Sequence, residues 1–146
     1  MENKVLRIEN ANILFRNFSG IQTDSNPMGF RTFSVIIDDE TAEVLRNDGW
    51  NVKYYQARDV NQIEIKVSYQ YFSPQIYVVT GKKRTALNEN TVHTLDNLNI
   101  EYVDLEVKPS TWVFGKKTGI KAYLNTLYVM VSESYFDKKY SDLPLE

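Results

Sequence analysis

A stretch in the C-terminal third of the chain combines lysines with aromatic side chains and carries no acidic residue. It runs from residue 115 to residue 131, holds three lysines and two tyrosines, and follows directly after Trp112 and Phe114. Lysines neutralise the phosphates of a nucleic acid, and an aromatic ring stacks on any base regardless of sequence. The stretch is therefore typical of a surface that holds nucleic acid without reading its sequence.

Two kinds of side chain are candidates for such a surface. The cations predicted to contact phosphate are Arg16, Arg31, Lys53, Lys82, Lys83, Arg84, Lys116, Lys117 and Lys121. The aromatic side chains predicted to stack on bases are Phe30, Trp50, Trp112 and Tyr123. Each stacked base contributes roughly 1–3 kcal/mol. The alternative interpretation is that the lysine-rich turns are solvated loops and that the aromatic rings fill a core.

The overall charge conceals a segregation of basic and acidic residues. The chain has 146 residues and a formal net charge of −2. Every charged residue between Glu64 and Glu89 is a cation, and the same holds between Glu106 and Glu133. Acidic residues concentrate instead in the segment 38–48. A basic surface can therefore exist on a protein whose net charge is negative.

Alternation of apolar and polar residues dominates the chain and predicts strands. It is clearest between Gln62 and Tyr69, where Ile63, Ile65 and Val67 alternate with polar residues. The other predicted strands are 5–8, 12–18, 33–37, 50–55, 75–80, 103–107 and 120–131. So many short strands in one domain predict a mainly β fold, as a closed or half-closed antiparallel barrel.

Alternation in the last predicted strand separates two faces. Lys121, Tyr123 and Asn125 are predicted to face a ligand, whereas Ile120, Ala122 and Leu124 are predicted to face the core. The glycine-bounded segment 115–119 is predicted to be the loop of the preceding hairpin.

Two or three short helices are predicted among the strands. The first covers 38–48, where acidic residues stand at the N-terminus as capping and the helix dipole favour. The second covers 88–97, with Asn88 as its N-cap. A third is possible at 133–140. Residues 1–132 are predicted to form the barrel, and residues 133–146 a short helix and tail of the same domain.

Chemistry-bearing residues give little support to catalysis. The chain has no cysteine and a single histidine, His93, which falls in a predicted helix. The acidic cluster at 38–48 is explained by helix capping. We therefore predict no enzymatic activity, no catalytic residue, no metal site and no cofactor. The N-terminus lacks the apolar segment of a signal peptide, and no apolar run is long enough to span a membrane, so we expect a cytoplasmic protein.

Four blocks of the sequence carry a family resemblance. Residues 13–20, 30–38, 48–54 and 119–124 resemble blocks found in small bacteriophage and prophage proteins that bind single-stranded DNA. The resemblance extends over residues 8–131. It implies an OB-like β-barrel, with single-stranded DNA as the partner and sequence-tolerant binding in phage replication or recombination. Phage replication or recombination proteins and, in a homo-oligomer, a second copy of the chain are further candidate partners, and we expect location in the bacterial host.

Other classes of function remain compatible with the residues. The acidic segment 38–48 would suit a phage-encoded inhibitor that imitates nucleic acid and binds a host protein. Exposed strand edges would suit a virion or assembly subunit that associates with itself. A metal-dependent nuclease is the least favoured alternative.

Overall fold

Strands account for most of the chain in the computed structural model, which describes residues 5–70 and 73–132. The strands are β1 (Leu6–Ala11), β2 (Ile13–Asn17), β3 (Arg31–Ile37), β4 (Val52–Tyr55), β5 (Val60–Val67), β6 (Gln75–Thr80), β7 (Lys83–Leu87), β8 (Ile100–Phe114) and β9 (Lys117–Val131). The helix α1 (Asp39–Asn47) follows β3, and a 3-10 helix (Val92–Asp96) follows β7. The prediction of a mainly β fold is confirmed.

All nine strands belong to one mixed sheet. Its main path runs β1-β8-β9-β5-β3-β2, while β4 pairs with β5, β6 with β9, and β7 with β6. Most pairs are antiparallel, but β9 runs parallel to both β5 and β6. The predicted wholly antiparallel arrangement is therefore wrong, because alternation reveals the faces of a strand and not its direction or its partners.

Closure of the sheet also differs from the prediction. Within residues 5–70 and 73–132, the main path ends at β1 and β2, and no strand ladder joins these two ends. The described sheet is thus not closed into a barrel. The long strand β9 pairs in parallel first with β5 and then with β6, so it continues past the edge of β5.

The core lies on the face of the sheet formed by the alternating apolar residues. Phe18 and Phe33 are fully buried and stack with their ring centroids 5.0 Å apart. Burial of Ile63, Ile65 and Val67 confirms the alternation found in β5. The same alternation leaves Glu64 and Lys66 on the outer face, and it is this outer face that carries the candidate interface.

A β-bulge interrupts the alternation of β9. Val107 of β8 pairs with Leu124 and Glu106 pairs with Thr126, so Asn125 is the extra, unpaired residue. A bulge shifts which positions of a strand face the core. The buried positions of β9 are accordingly Ala122 and Leu124 before the bulge, and Leu127 and Val129 after it. The predicted core placement of Ala122 and Leu124 is confirmed, and Asn125 occupies the bulge.

The first predicted helix is confirmed and the second is much shorter than predicted. Asp38 caps α1 by accepting a hydrogen bond from the Thr41 amide at 2.7 Å, which lowers the pKa of its carboxyl. At the second position Asn88 instead closes a turn, because its side chain accepts from the Asn90 amide at 2.9 Å. Only the 3-10 helix follows that turn. The predicted helix at 133–140 and tail to 146 lie outside the described residues.

Two tight hairpins replace the longer basic loops that the sequence predicts. Thr80 pairs with Lys83, and Phe114 with Lys117, so each turn has two central residues. Gly81 and Gly115 come first in these turns with positive φ, as type II′ turns require. The predicted loop 115–119 is therefore mostly strand, and β7 is a strand that the sequence did not reveal. None of the helices in the part of the chain described is long and apolar enough to cross a membrane.

Candidate nucleic-acid interface

A groove crosses the outer face of the sheet where β3, β5 and β9 lie side by side. The register places Thr32 opposite Lys66, and Lys66 beside Tyr123 of the parallel strand β9. Two adjoining concavities meet here and share Lys66 and Lys121. The side chains that define this surface, which we call the basic groove, are Phe30, Arg31, Lys66, Tyr69, Trp112, Lys121 and Tyr123.

An exposed aromatic ring marks one end of the basic groove. Phe30 precedes β3 and leaves 56% of its surface exposed, an unusual fraction for a phenylalanine. The Lys66 ammonium lies 5.5 Å from the centroid of its ring. The ring is therefore accessible to a base, and the nearby lysine provides a charge for the adjoining phosphate.

The loop between β2 and β3 is built to hold Phe30 in place. Asn26 accepts a hydrogen bond from the Phe30 amide at 3.1 Å and donates to the Phe30 carbonyl at 2.9 Å. At the base of the loop, Gly20 and Gly29 approach so closely that a Cβ on Gly20 would lie 2.8 Å from the Gly29 carbonyl oxygen. Because both glycines also have positive φ, the loop has a defined conformation that other residues would strain.

Arg31 and Tyr69 lie next to Phe30 at the edge of the concavity, and Tyr69 packs partly against the core. The Arg31 Nε donates to the Phe18 carbonyl at 3.1 Å, and its guanidinium lies 5.4 Å from the Tyr69 ring centroid. Burial raises the pKa of the Tyr69 hydroxyl, and the charge of Arg31 opposes that rise. The hydroxyl is therefore neutral at physiological pH, and its oxygen is buried without a hydrogen-bond partner among the described residues, while the guanidinium is held in a fixed position.

Lys121 and Tyr123 form the wall of the basic groove on β9. Lys121 is exposed and Tyr123 half-buried, whereas Ala122 and Leu124 between and after them are almost completely buried. The strand thus divides as the sequence predicts for these four positions. Lys121 and Lys66 both line the two concavities, which places positive charge at the centre of the basic groove.

A tryptophan lies at the other end of the basic groove. Trp112 pairs with Gly119 across the β8–β9 hairpin, and a Cβ on Gly119 would lie 2.7 Å from the Trp112 ring. The glycine therefore provides the space that the ring occupies, and 36% of Trp112 stays exposed. Glu64 lines the same concavity and forms an ion pair with Lys66 at 3.8 Å, so one acid moderates the positive charge here.

Beyond Trp112 the hairpin of β8 and β9 extends away from the core. Residues 110–118 of this hairpin, which we call the arm, are all exposed. Phe114 pairs with Lys117 and is 80% exposed, and Lys116 stands in the turn. The arm therefore presents the two lysines at its tip, in line with the Trp112 end of the basic groove.

Some predicted residues are buried at the basic groove or lie outside it. Trp50 borders the concavity at the Trp112 end, but it retains only 9% of its surface and packs in the core, which leaves little of its ring for a base. Arg16 donates through Nη1 to the carbonyls of Leu95 and Leu98 at 2.8 and 2.7 Å, so it ties β2 to the end of the 3-10 helix. Lys53 is exposed on β4 opposite Gln62.

The second basic cluster is also separate from the basic groove. Lys82, Lys83 and Arg84 are exposed on the β6–β7 hairpin. The Arg84 guanidinium lies 4.8 Å from the ring centroid of Tyr77, and Tyr77 stacks on Tyr128. The structure thus brings together five of the predicted residues in the basic groove, Phe30, Arg31, Trp112, Lys121 and Tyr123, and adds Lys116 and Lys117 on the arm beside it.

Two residues of the basic groove were not among the predicted contacts. Lys66 stood between Glu64 and a series of buried positions, and its pairing with Tyr123 depends on a parallel ladder that the sequence does not reveal. Tyr69 continued the alternation of Ile65 and Val67, which indicated a core residue, and its side chain does pack partly against the core. Only their position could have indicated a binding role, because both residues lie near the end of β5, next to the β2–β3 loop.

The fold and the basic groove are those of a β protein suited to nucleic-acid binding. A family model describing a phage ssDNA-binding domain matches residues 1–146, which is the whole chain. The chain belongs to this family of phage single-stranded DNA-binding proteins. No protein among curated sequences matches it.

Solved structures of phage single-stranded DNA-binding proteins share the fold at very low sequence identity. The protein of bacteriophage Enc34 in complex with ssDNA has a TM-score of 0.58 and 7% identity, over 89% of this chain and 88% of that one. Another structure of the Enc34 protein has a TM-score of 0.56 and 8% identity, over 94% and 88%. The gp2.5 protein of bacteriophage T7 has a TM-score of 0.50 and 8% identity, over 99% and 97%.

Proposed function

We propose that the basic groove holds single-stranded DNA without sequence preference and protects it during phage replication or recombination in the host cytoplasm. The observation that carries this proposal is the order of side chains along the groove. Lys66 and Lys121, which both concavities share, lie between Phe30 at one end and Trp112 at the other, and Arg31 lies beside Phe30. Phosphates and bases of a strand would thus find partners of matching chemistry.

The aromatic ends favour a single strand over a duplex. In a duplex the faces of the bases are covered by their neighbours, whereas an unpaired strand exposes them for stacking on aromatic side chains. Phe30 presents an accessible ring next to the Lys66 ammonium. Since stacking uses the face of a base and not its hydrogen-bonding edge, the same ring accepts every base.

The cations of the basic groove would provide most of the electrostatic attraction. Each phosphate that a protein cation neutralises on single-stranded DNA contributes about 0.7 to the slope of log K against log salt. Arg31 is fixed by the Phe18 carbonyl, so little side-chain freedom is lost when it meets a phosphate. The lysines remain exposed or half-buried and can adjust to the strand.

Fluorescence anisotropy of labelled oligo-dT tests the proposal. We expect binding that weakens steeply as salt rises, and we expect Lys66→Gln with Lys121→Gln to lower the salt slope by about 1.4. Arg58→Gln is the matched control, because Arg58 is exposed on the β4–β5 turn away from the groove. The proposal is wrong if the double variant binds as tightly as the control with an unchanged slope.

A further inference from the structure

The outer face of the sheet divides into two branches beyond Tyr123. One edge of β9 pairs with β8, which in turn pairs with β1. The other edge of β9 pairs with β6 after the bulge, and β6 pairs with β7. A strand of DNA leaving the basic groove at Tyr123 therefore meets either the β8–β1 branch or the β6–β7 branch.

Acidic residues line the β8–β1 branch. Asp104 stands opposite Tyr128, Glu106 stands opposite Thr126, and Glu9 of β1 borders the same depression. Arg7 is the cation lining this depression, and it forms an ion pair with Glu106 at 2.9 Å. The negative charge of this branch repels phosphates, because a paired arginine offers them little net attraction.

Aromatic and basic residues form the β6–β7 branch. Tyr77 lies beside Tyr128, and their rings stack with centroids 5.2 Å apart and planes 21° from parallel. The Arg84 guanidinium lies over the Tyr77 ring at 4.8 Å, and Lys82 stands exposed in the adjoining turn. Both tyrosines are only half-buried. This branch repeats the combination of rings and cations found in the basic groove.

We propose that single-stranded DNA continues from the basic groove onto the β6–β7 branch, where Tyr77, Tyr128 and Arg84 form a second binding subsite. Tyr123 and Tyr128 lie five positions apart on β9, which corresponds to roughly 16 Å or somewhat less because of the bulge. Arg84 contacts a phosphate while the Tyr77–Tyr128 pair supports a base. This inference rests on the proposed function, since it extends the same binding path.

Oligonucleotide length separates the two subsites experimentally. Oligo-dT of roughly 4 nucleotides fills the basic groove, and oligo-dT of roughly 16 nucleotides reaches both subsites, in the range of lengths that such folds bind. We expect Arg84→Gln to weaken the longer ligand and to lower its salt slope by about 0.7, with no change for the shorter one. Tyr128→Ala should weaken the longer ligand roughly fivefold or more.

The acidic branch provides the matched control. Glu9 is exposed on β1, and Glu9→Gln should leave the gain in affinity with length as it is in the unmodified protein. Thermal unfolding of Tyr128→Ala shows whether the fold survives the loss of the ring, and Arg84→Gln changes only an exposed side chain. The two variants therefore test the subsite independently.

The results distinguish a failure of the proposed function from a failure of the second subsite alone. Binding of neither oligonucleotide would overturn the proposed function and this inference together. Binding of both, with Arg84→Gln weakening them equally or not at all, would overturn the second subsite alone. Photocrosslinking provides direct evidence for the second subsite. A 5-iodouracil oligonucleotide should label Tyr77 or Tyr128 when the longer ligand is used, and it should label neither when the shorter one is used.

Discussion

Phe30 is the most exposed aromatic side chain of the basic groove. Its ring is exposed although its backbone is clamped on both sides by the Asn26 side chain. Exposed rings are usually tolerated on mobile loops, but here the hydrogen bonds fix the backbone from which the ring projects. Holding a base-stacking ring in advance reduces the ordering cost of binding.

We expect Phe30→Ala to weaken oligo-dT binding by roughly 1–3 kcal/mol, the contribution of one stacked base. Phe30→Trp should retain binding, and DNA should quench the fluorescence of the new indole. Phe15→Ala is the control, because Phe15 is equally exposed at 55% and contacts Tyr55 instead of the basic groove. Equal affinities for Phe30→Ala and Phe15→Ala would show that Phe30 does not stack.

Gly119 offers a test of the opposite end of the basic groove. A Cβ at this position would lie 2.7–2.8 Å from three atoms of the Trp112 ring, closer than atoms normally approach. We expect Gly119→Ala to displace the ring, shift its fluorescence emission and weaken oligo-dT binding. The other tryptophan, Trp50, is buried. A Trp50→Phe background would therefore leave Trp112 as the source of the tryptophan fluorescence. An emission shift without any change in affinity would exclude Trp112 from the interface.

The sequence underestimates the length of the arm, although it shows the lysines and aromatic residues that the arm carries. Its two-residue turn makes β8 and β9 continue to Phe114 and Lys117, so Lys116 stands at the tip of a projecting hairpin. All residues from 110 to 118 are exposed, and none contributes to the core. Substitutions at the tip should therefore change binding without changing stability.

We expect Lys116→Glu with Lys117→Glu to weaken oligo-dT binding at low salt and to have progressively less effect as salt rises, because screening reduces both the attraction and the new repulsion. The melting temperature should stay within about 2 °C of the unmodified protein, as is usual for exposed sites. The same charge reversal at Arg58 provides the control. An unchanged affinity at low salt would remove the arm from the binding path.

The sequence predicts well which residues of a strand face the core, but it predicts poorly which strands lie beside each other. Alternation identified Lys121 and Tyr123 as facing away from Ala122 and Leu124, since burial follows directly from a period of two. It gave no sign that Lys66 lies beside Tyr123, because that contact needs a parallel ladder. The Arg16 contact with Leu95 joins residues 79 positions apart, and only the folded chain reveals that carbonyls occupy this guanidinium.

The whole molecule separates its charges in space as well as in sequence. The basic groove occupies one part of the outer face, whereas acidic residues occupy α1 and the β8–β1 branch. Under the proposed function, a protein with a net charge of −2 binds a polyanion through this limited surface. The acidic regions restrict where phosphates can lie, so the number of phosphate contacts should be small.

The salt dependence of binding measures that number. Arg31, Lys66 and Lys121 in the basic groove, together with Lys116 and Lys117 on the arm, predict a slope of log K against log salt between roughly −2 and −3.5 for short oligo-dT. Participation of all nine cations that the sequence suggests would instead give roughly −6. Duplex DNA of the same length should bind more weakly, because its bases cannot stack on Phe30 or Trp112. A slope near −6, or equal affinity for the duplex, would contradict a groove that combines few phosphate contacts with stacking.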